Sequence, residues 1–297
     1  MREETSRRSA VVALGITVVI WAYSWIVMKQ VLRYAGPFDF AAIRYTLGAA
    51  LLFSVLLVTR SSLRAPPLIP TIIVGLSQTA AFQGLGQLAL VSGGAGHVAL
   101  LAYAMPFWAV LLAWVLLHER PTRRHVLGLV LAATGLICVI EPWQGLGSAQ
   151  STFFALAGGA CWALGTVMSK RVFQTHNPSP LTFTAWQMLF GAMALIVVAL
   201  CVPQRAIDWS APFLAGLAYS VILASSVAWG LWLVVVKRLS TAVASVSSLA
   251  VPVTSVLMAW AILGERPTLM EGVGIAFILA GLVAVTGVRL RRARIAG

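Results

Sequence analysis

Long apolar runs, separated by short stretches rich in proline, glycine and charge, occupy most of the 297-residue chain. Residues 98–117 and 211–236, for example, contain no charged side chain and reach the length of about 20 residues with which a helix crosses a bilayer. Ten such spans are predicted, with ends that are uncertain by a few residues. They cover residues 9–29, 38–59, 68–91, 95–117, 124–141, 152–170, 181–202, 211–236, 242–263 and 269–288.

The second half of the chain repeats the motifs of the first half. Residues 103–122 combine a proline, a tryptophan and a closing Glu-Arg-Pro-Thr, and residues 249–268 carry the same features 146 positions later. Weaker matches relate Trp21 and Lys29 to Trp162 and Lys170, Pro37 and Gly48 to Pro180 and Gly191, and Gly84 to Gly230. Matches at a nearly constant offset mark an internal duplication.

The duplication predicts two units, residues 1–145 and residues 146–297. Each unit holds five predicted spans, and because five is odd the second unit enters the membrane from the opposite side. We therefore predict an all-α integral membrane protein with ten transmembrane helices, arranged as two inverted five-helix repeats. This arrangement is typical of secondary transporters, which bind their solute between the repeats.

Composition and charge agree with this prediction. The chain is 60% hydrophobic and only 10% charged, whereas a soluble domain has about a quarter of its residues charged. Its net charge of +13 comes from Lys and Arg between spans, with 16 in predicted inner segments and 4 in outer loops. This excess predicts that both termini lie in the cytoplasm. The apolar spans predict a cell-membrane protein, in the inner membrane if the source is bacterial. No nucleic-acid-binding motif is present, so the basic charge predicts orientation in lipid rather than a nucleic-acid partner.

The two five-span units resemble the drug/metabolite transporter superfamily in its ten-span EamA-repeat form. The features that carry the resemblance are the proline within each fourth span, the Glu-Arg-Pro turn and the spaced glycines of each fifth span. Trp162, Tyr103 and the overall length resemble more narrowly the YddG-type amino-acid exporters. The resemblance implies export of amino acids, neutral or aromatic, and related metabolites by alternating access, with export of other metabolites or drugs as the alternative.

Candidate functional residues are polar or bulky groups near the middle of the predicted spans. Pro106 and Pro252 cannot donate to the carbonyl four residues earlier, so each is expected to bend its helix, around a cavity or merely for packing. A mid-span Trp or Tyr needs a hydrogen-bond partner, which a cavity or a neighbouring helix could supply. The residues expected to line a substrate cavity for an amino-acid-like zwitterion are Gln78, Tyr103, Trp162, Phe82, Trp21 and Ser248.

Charged groups are nearly absent from the predicted spans. No Asp or Glu lies in the middle of a span, which disfavours proton coupling through a buried carboxylate and favours uncoupled movement of a net-neutral solute. Arg44 is the clear intramembrane charge. We expect its side chain to snorkel to the outer surface, and binding of a solute carboxylate is the alternative.

An enzyme is disfavoured on the same pattern. The four histidines lie near span ends without a metal-binding or Ser-His motif, and the three cysteines stand singly. We therefore predict no catalytic residue, no metal and no cofactor. Lipid and a small-molecule substrate are the expected partners; the oligomeric state is open, and a monomer is compatible with the sequence.

Overall fold

A computed structural model describes residues 2–93, 95–140, 149–240, 243–244, 247–263 and 269–286. In those residues the secondary structure is helical and contains no strand. The first half forms α1 (Arg2–Val31), α2 (Pro37–Val58), α3 (Leu68–Val74), α4 (Phe82–Ser92), α5 (Ala95–Ala102), α6 (Met105–Leu117) and α7 (Arg123–Ile140). The second half forms α8 (Ala149–Thr175), α9 (Pro180–Cys201), α10 (Ala211–Tyr219), α11 (Ala228–Arg238), α12 (Ala250–Leu263) and α13 (Leu269–Thr286).

Two wide π-helical turns lie inside otherwise continuous spans. The first π turn, Gly75–Ala81, joins α3 to α4, and the second π turn, Ser220–Val227, joins α10 to α11. The two turns occupy matching places in the repeats, because the Gly84 and Gly230 that follow them are themselves matched. Such turns are rare and are frequently found at functional sites.

The ten predicted membrane helices are present in this helix order. Six spans are long and apolar enough to cross a membrane by themselves. The remaining four predicted spans correspond to the interrupted pair α5–α6 and to α7, α12 and α13. Of these, α7 and α13 have 18 residues each, near the lower limit of about 17–25 residues for a membrane helix.

Helices at matching places in the two halves make matching contacts. α2 packs along its counterpart α9, and α7 packs along α13. α4 and the first π turn lie against α8, just as α11 and the second π turn lie against α1. These pairs correspond to each other when the two halves are exchanged, as expected for two related repeats.

Glycines allow these helices to approach closely. A Cβ atom added to Gly281 of α13 would lie 2.7 Å from the carbonyl oxygen of Gly128 of α7. A Cβ added to Gly191 of α9 would lie 2.6 Å from the carbonyl oxygen of Gly75 in the first π turn. Any side chain at these positions would therefore push backbones apart.

Replacing Gly191 with alanine is expected to destabilise the protein by about 1–3 kcal/mol, because the added methyl group meets backbone that cannot move aside cheaply. Thermal unfolding of the purified protein in detergent measures the effect. Gly230→Ala in α11 is the matched control, since its Cβ meets no atom within 4 Å and alanine favours a helix. Equal loss of Tm in both variants would contradict the account of close packing.

Part of the sequence prediction lies outside the described residues. The second Glu-Arg-Pro-Thr motif, at 265–268, and the side chain of Trp260 belong to this part. The first motif lies between α6 and α7, where His118 adopts a left-handed conformation with φ of 57° and ends α6. Glu119 and Arg120 thus belong to the connection that follows the helix end.

Candidate substrate cavity

A small cavity lies between the two halves of the chain. Its walls come from α1, α2, α4 and the α5–α6 turn of the first half and from α8 and α11 of the second. The lining residues are Trp21, Ser24, Trp25, Met28, Arg44, Phe82, Gln83, Tyr103, Trp162 and Trp229. The volume open to the centre of a water molecule is about 20 Å³, which holds about one water. This conformation is therefore almost closed, and a solute of amino-acid size requires the helices to separate.

Trp162 of α8 lies at the centre of an aromatic cluster. Its ring stacks on Phe82 with centroids 4.9 Å apart and meets Tyr103 and Trp21 edge-on at 5.3 and 5.6 Å. Trp232 lies 5.8 Å from it. The structure thus brings together four of the candidate residues, Trp21, Phe82, Tyr103 and Trp162. Tyr103 lies in the interruption between α5 and α6, and the other three lie on helices of three different spans. Substrate binding by them remains a prediction.

The repeat-related tryptophans differ in their hydrogen bonds. Trp21 donates from Nε1 to the carbonyl oxygen of Ala224 in the second π turn, at 3.1 Å. Trp162 is 1% exposed, and its Nε1 has no acceptor in the part of the chain that the structure describes. The indole N–H of Trp162 is therefore available to a ligand.

The fourth span is interrupted where the sequence places a bend. α5 ends at Ala102, and α6 begins at Met105, directly before Pro106. The carbonyl oxygen of Ala102, which Pro106 leaves without a helical donor, faces Gly159 of α8, where an added Cβ would lie 2.8 Å away. This carbonyl thus packs against a neighbouring helix instead of lining the cavity.

The second half contains a similar interruption. A turn at Ser248 precedes α12, which carries Pro252, and the N–H of Val251 donates to the carbonyl oxygen of Ser248 at 2.9 Å. Ser248 is 1% exposed and is not among the residues that line the cavity. In this conformation the structure does not bring Ser248 to the aromatic cluster.

Gln78 is also separate from the cavity. It lies in the first π turn, is fully buried, and packs against Gly165 of α8, where an added Cβ would lie 2.9 Å from its Oε1. Neither amide atom of Gln78 has a hydrogen-bond partner among the described residues. An amide buried in this way is costly unless another conformation supplies a partner.

The prediction that the Arg44 side chain snorkels to the outer surface was wrong. The side chain is 2% exposed and lines the cavity. Its Nε donates to Ser225 Oγ at 2.6 Å, its Nη1 lies 3.1 Å from the sulfur of Met28, and its guanidinium lies 5.0 Å from the centroid of the Tyr45 ring. The reason is the packing of α2, since Gly48, one turn further on the same face, lies against Ser225.

Sequence reasoning also missed several lining residues, namely Ser24, Trp25, Met28, Gln83 and Trp229. A signal existed for Trp229, because it lies well inside the Ala211–Arg238 span, as Trp162 does in its own span. Gln83, as a glutamine within a span, is expected to face the bundle interior, but it could equally connect two helices. Met28 and Ser24 give no such signal. Their side chains are common in helix packing, and only the contacts of α1 and α4 place these three residues at the cavity.

Two repeat-related lysines bind helix ends at opposite faces of the inverted bundle. Lys29 donates to the carbonyl oxygens of Leu90 and Gly93, at 2.8 and 3.0 Å, at the end of α4. Lys170 donates to the carbonyl oxygens of Val236 and Leu239, at 3.1 and 2.6 Å, at the end of α11. Each lysine thereby satisfies carbonyls that lack a helical partner and offsets the negative end of the helix dipole.

Replacing Lys170 with methionine is expected to lower the Tm, because these carbonyls lose their donor at a cost of about 1–3 kcal/mol. Thermal unfolding in detergent measures the change. Arg171→Met is the matched control, since the Arg171 side chain next to it is exposed. If both variants melt with the wild type, the lysine bonds contribute nothing to stability.

Comparison with known proteins gives four findings. The sequence profile of the EamA-like transporter family matches residues 8–141 and again residues 150–287. A probable amino-acid metabolite efflux pump of Salmonella typhimurium is 30% identical over 98% of this chain and 100% of its own length. The probable amino-acid metabolite efflux pump of Escherichia coli K12 is 28% identical over 97% of this chain and 98% of its own. A solved crystal structure matches the fold with a TM-score of 0.77 at 21% identity, over 94% of this chain and 96% of that one.

Proposed function

Because the chain belongs to the EamA-like transporter family, we propose that it exports amino acids and related small metabolites from the cytoplasm by alternating access. Family membership makes the chain a multi-pass membrane transporter and not an enzyme. The observation that supports the proposal best is the central cavity, where aromatic side chains from both halves meet around Trp162. A site shared by inverted repeats can open to either face when one half tilts against the other.

The nearly closed cavity fits an intermediate of such a cycle. Lys29 and Lys170 hold helix ends at opposite faces, so release of one set of bonds and retention of the other would open one side only. The two π turns lie beside the cavity walls and are suitable hinge points, because their backbone hydrogen bonds are already irregular. Both features come in pairs, as alternating access requires.

The lining residues support the proposed substrate class. Tryptophan, tyrosine and phenylalanine rings suit the apolar body of a neutral or aromatic amino acid. Two relatives are named probable amino-acid metabolite efflux pumps, which supports the same class. Export of other metabolites or drugs is the alternative within the family.

We also propose the topology and energetics predicted from the sequence. Both termini lie in the cytoplasm, the repeat units are 1–145 and 146–297, and the location is the cell membrane, which is the inner membrane if the source is bacterial. The lining contains no acidic side chain among the described residues, so transport is uncoupled from protons and follows the solute gradient.

A cell-based measurement tests export. Cells fed a dipeptide that they hydrolyse internally accumulate the free amino acids, and an exporter shortens the time before these appear in the medium. We expect cells that produce this protein to release neutral and aromatic amino acids faster than cells with an empty vector. An unchanged release rate, with the protein present in the membrane, would contradict the proposal.

A further inference from the structure

Arg44 places a positive charge near the middle of the membrane without a matching negative charge. Its partner Ser225 lies near the centre of the Ala211–Arg238 span, so the guanidinium reaches the depth of the bilayer core. Its contacts are a hydroxyl, the thioether of Met28 and the ring of Tyr45, all of them neutral. None of the residues that line the cavity is acidic in the part of the chain that the structure describes. Burying an unpaired charge in a membrane protein costs free energy, so we expect the charge of Arg44 to serve a function.

The repeat itself shows that packing does not require this charge. The residue that corresponds to Arg44 in the second half is Gln187, because Pro37 and Gly48 correspond to Pro180 and Gly191 on either side. Gln187 accepts a hydrogen bond from Thr79 Oγ1 at 2.7 Å.

The hydroxyl partners correspond as well. Thr79 in the first π turn matches Ser225 in the second, and Arg44 bonds Ser225 at 2.6 Å. The same contact between a membrane helix and a π turn is thus made by a neutral amide in one half and by a cation in the other. The contact between the helix and the π turn therefore does not require the positive charge of Arg44.

The position of Arg44 limits which groups can bind its guanidinium. Arg44 is 2% exposed, so lipid phosphates cannot reach it, and it faces the cavity together with Trp162. Trp162 Nε1 lacks an acceptor among the described residues, and the hydrogen bonds of the Arg44 guanidinium, from Nε and Nη1, go to neutral partners. A cation with only neutral partners and an indole donor without an acceptor form a site for an anionic group, and guanidinium binds carboxylates with two parallel hydrogen bonds.

We infer that Arg44 binds the carboxylate of the transported solute, with Trp162 Nε1 as a second donor, and that a carboxylate rather than an ammonium group is required for binding. The inference rests on the proposed function, since it takes the cavity to be the solute site. The substrate class is then carboxylates with an apolar or aromatic body, among them the amino acids. An amine of the same shape has no acidic partner in the lining and is excluded.

Ligand-induced stabilisation of the purified protein tests this inference. Phenylpropionate and phenethylamine share an aromatic body but carry only a carboxylate or only an ammonium group, and phenylalanine carries both. We expect phenylalanine and phenylpropionate to raise the Tm of the wild type and phenethylamine to leave it unchanged, since a ligand that binds only the folded state stabilises it. Loss of one charge-assisted interaction in Arg44→Gln is expected to weaken phenylpropionate binding about ten- to hundredfold.

Control variants separate binding from structure. Arg44→Gln copies the residue that the second repeat carries at this place, so without ligand it is expected to melt at the wild-type temperature or above. Arg44→Lys keeps the charge but loses the planar fork, and a reduced shift is expected. Arg171→Gln removes an exposed arginine and should leave every shift unchanged.

Three results would overturn the inference: a full phenylpropionate shift in Arg44→Gln, a phenethylamine shift equal to that of phenylpropionate, or no shift of the wild type by any of the three ligands. If Arg44→Gln does not fold, Arg44→Met takes its place, and a full phenylpropionate shift in that uncharged variant overturns the inference. A wild type that phenylpropionate stabilises, but that moves no amino acid across a liposome membrane, would contradict the proposed function and leave the carboxylate site in place.

Discussion

Transport by Trp162→Ala is expected to fall by about tenfold or more, since a loss of only 1.4 kcal/mol of solute binding is already a factor of ten. Trp162 is the residue on which the cavity converges, because its ring touches Phe82, Tyr103 and Trp21. Truncation removes the surface against which a solute would pack and an indole N–H that lacks an acceptor among the described residues.

Initial rates of labelled amino-acid flux in proteoliposomes measure this effect. Trp162→Phe keeps a ring beside Phe82 but removes the N–H, so an intermediate rate is expected. The matched control is Trp114→Ala on α6, whose side chain is 53% exposed on the outside of the bundle and whose loss should leave flux unchanged. Unchanged rate and solute preference in Trp162→Ala would remove Trp162 from the site.

Gln78→Leu is expected to stabilise the resting protein and to slow transport, an unusual combination. Both amide atoms of Gln78 are buried without a partner among the described residues, and replacing such a group with an apolar one of similar size relieves a penalty of about 1–3 kcal/mol. An amide that is unpaired in the closed conformation contributes only if it finds a partner when the cavity opens. Its removal is therefore expected to favour the closed state and to reduce flux about tenfold.

Gln187→Leu is the contrasting control for this prediction. The Gln187 side chain accepts a hydrogen bond from Thr79, so its loss leaves a buried hydroxyl unpaired and should lower the Tm. A lower Tm with normal flux in Gln78→Leu would show that Gln78 is a packing residue and nothing more.

The membrane spans could be predicted from the sequence because lipid imposes a simple rule. A helix that crosses the bilayer needs about 20 apolar residues, and the long run of 211–236 satisfies this without reference to any other part of the chain. The π turn inside that run could not be predicted. It depends on contacts such as that of Ser226 with the carbonyl oxygen of Val221 at 2.8 Å, and on the close approach of Gly48 from another helix.

Some residues of the candidate site could likewise be predicted from the sequence, and others could not. Trp21 and Trp162 could be found because tryptophan far from the membrane interface is uncommon and both occur at matching places. Arg44 could not be placed, because nearly all neighbouring positions of α2 are apolar and so no amphipathic pattern tells which side faces lipid. The packing of α2 on α9 and on the second π turn determines that Arg44 points inward.

The location of Gln78 could be predicted from the sequence only in part. A glutamine in a membrane span is expected to face the interior of the bundle, and Gln78 does so, but the interior is larger than the cavity. The side chain is packed against Gly165 of α8, where the closed conformation offers it no partner among the described residues. The function of Gln78 depends on a second conformation, and a sequence pattern does not show which groups Gln78 would contact there.

Flux of labelled phenylalanine through the purified protein in liposomes, with equal pH on both sides, tests the central claim most directly. We expect saturable movement down the phenylalanine gradient, reduced about tenfold or more in Trp162→Ala and retained in Trp114→Ala. Absence of flux in the wild type, or flux that requires an imposed pH gradient although the solute gradient is downhill, would contradict the account.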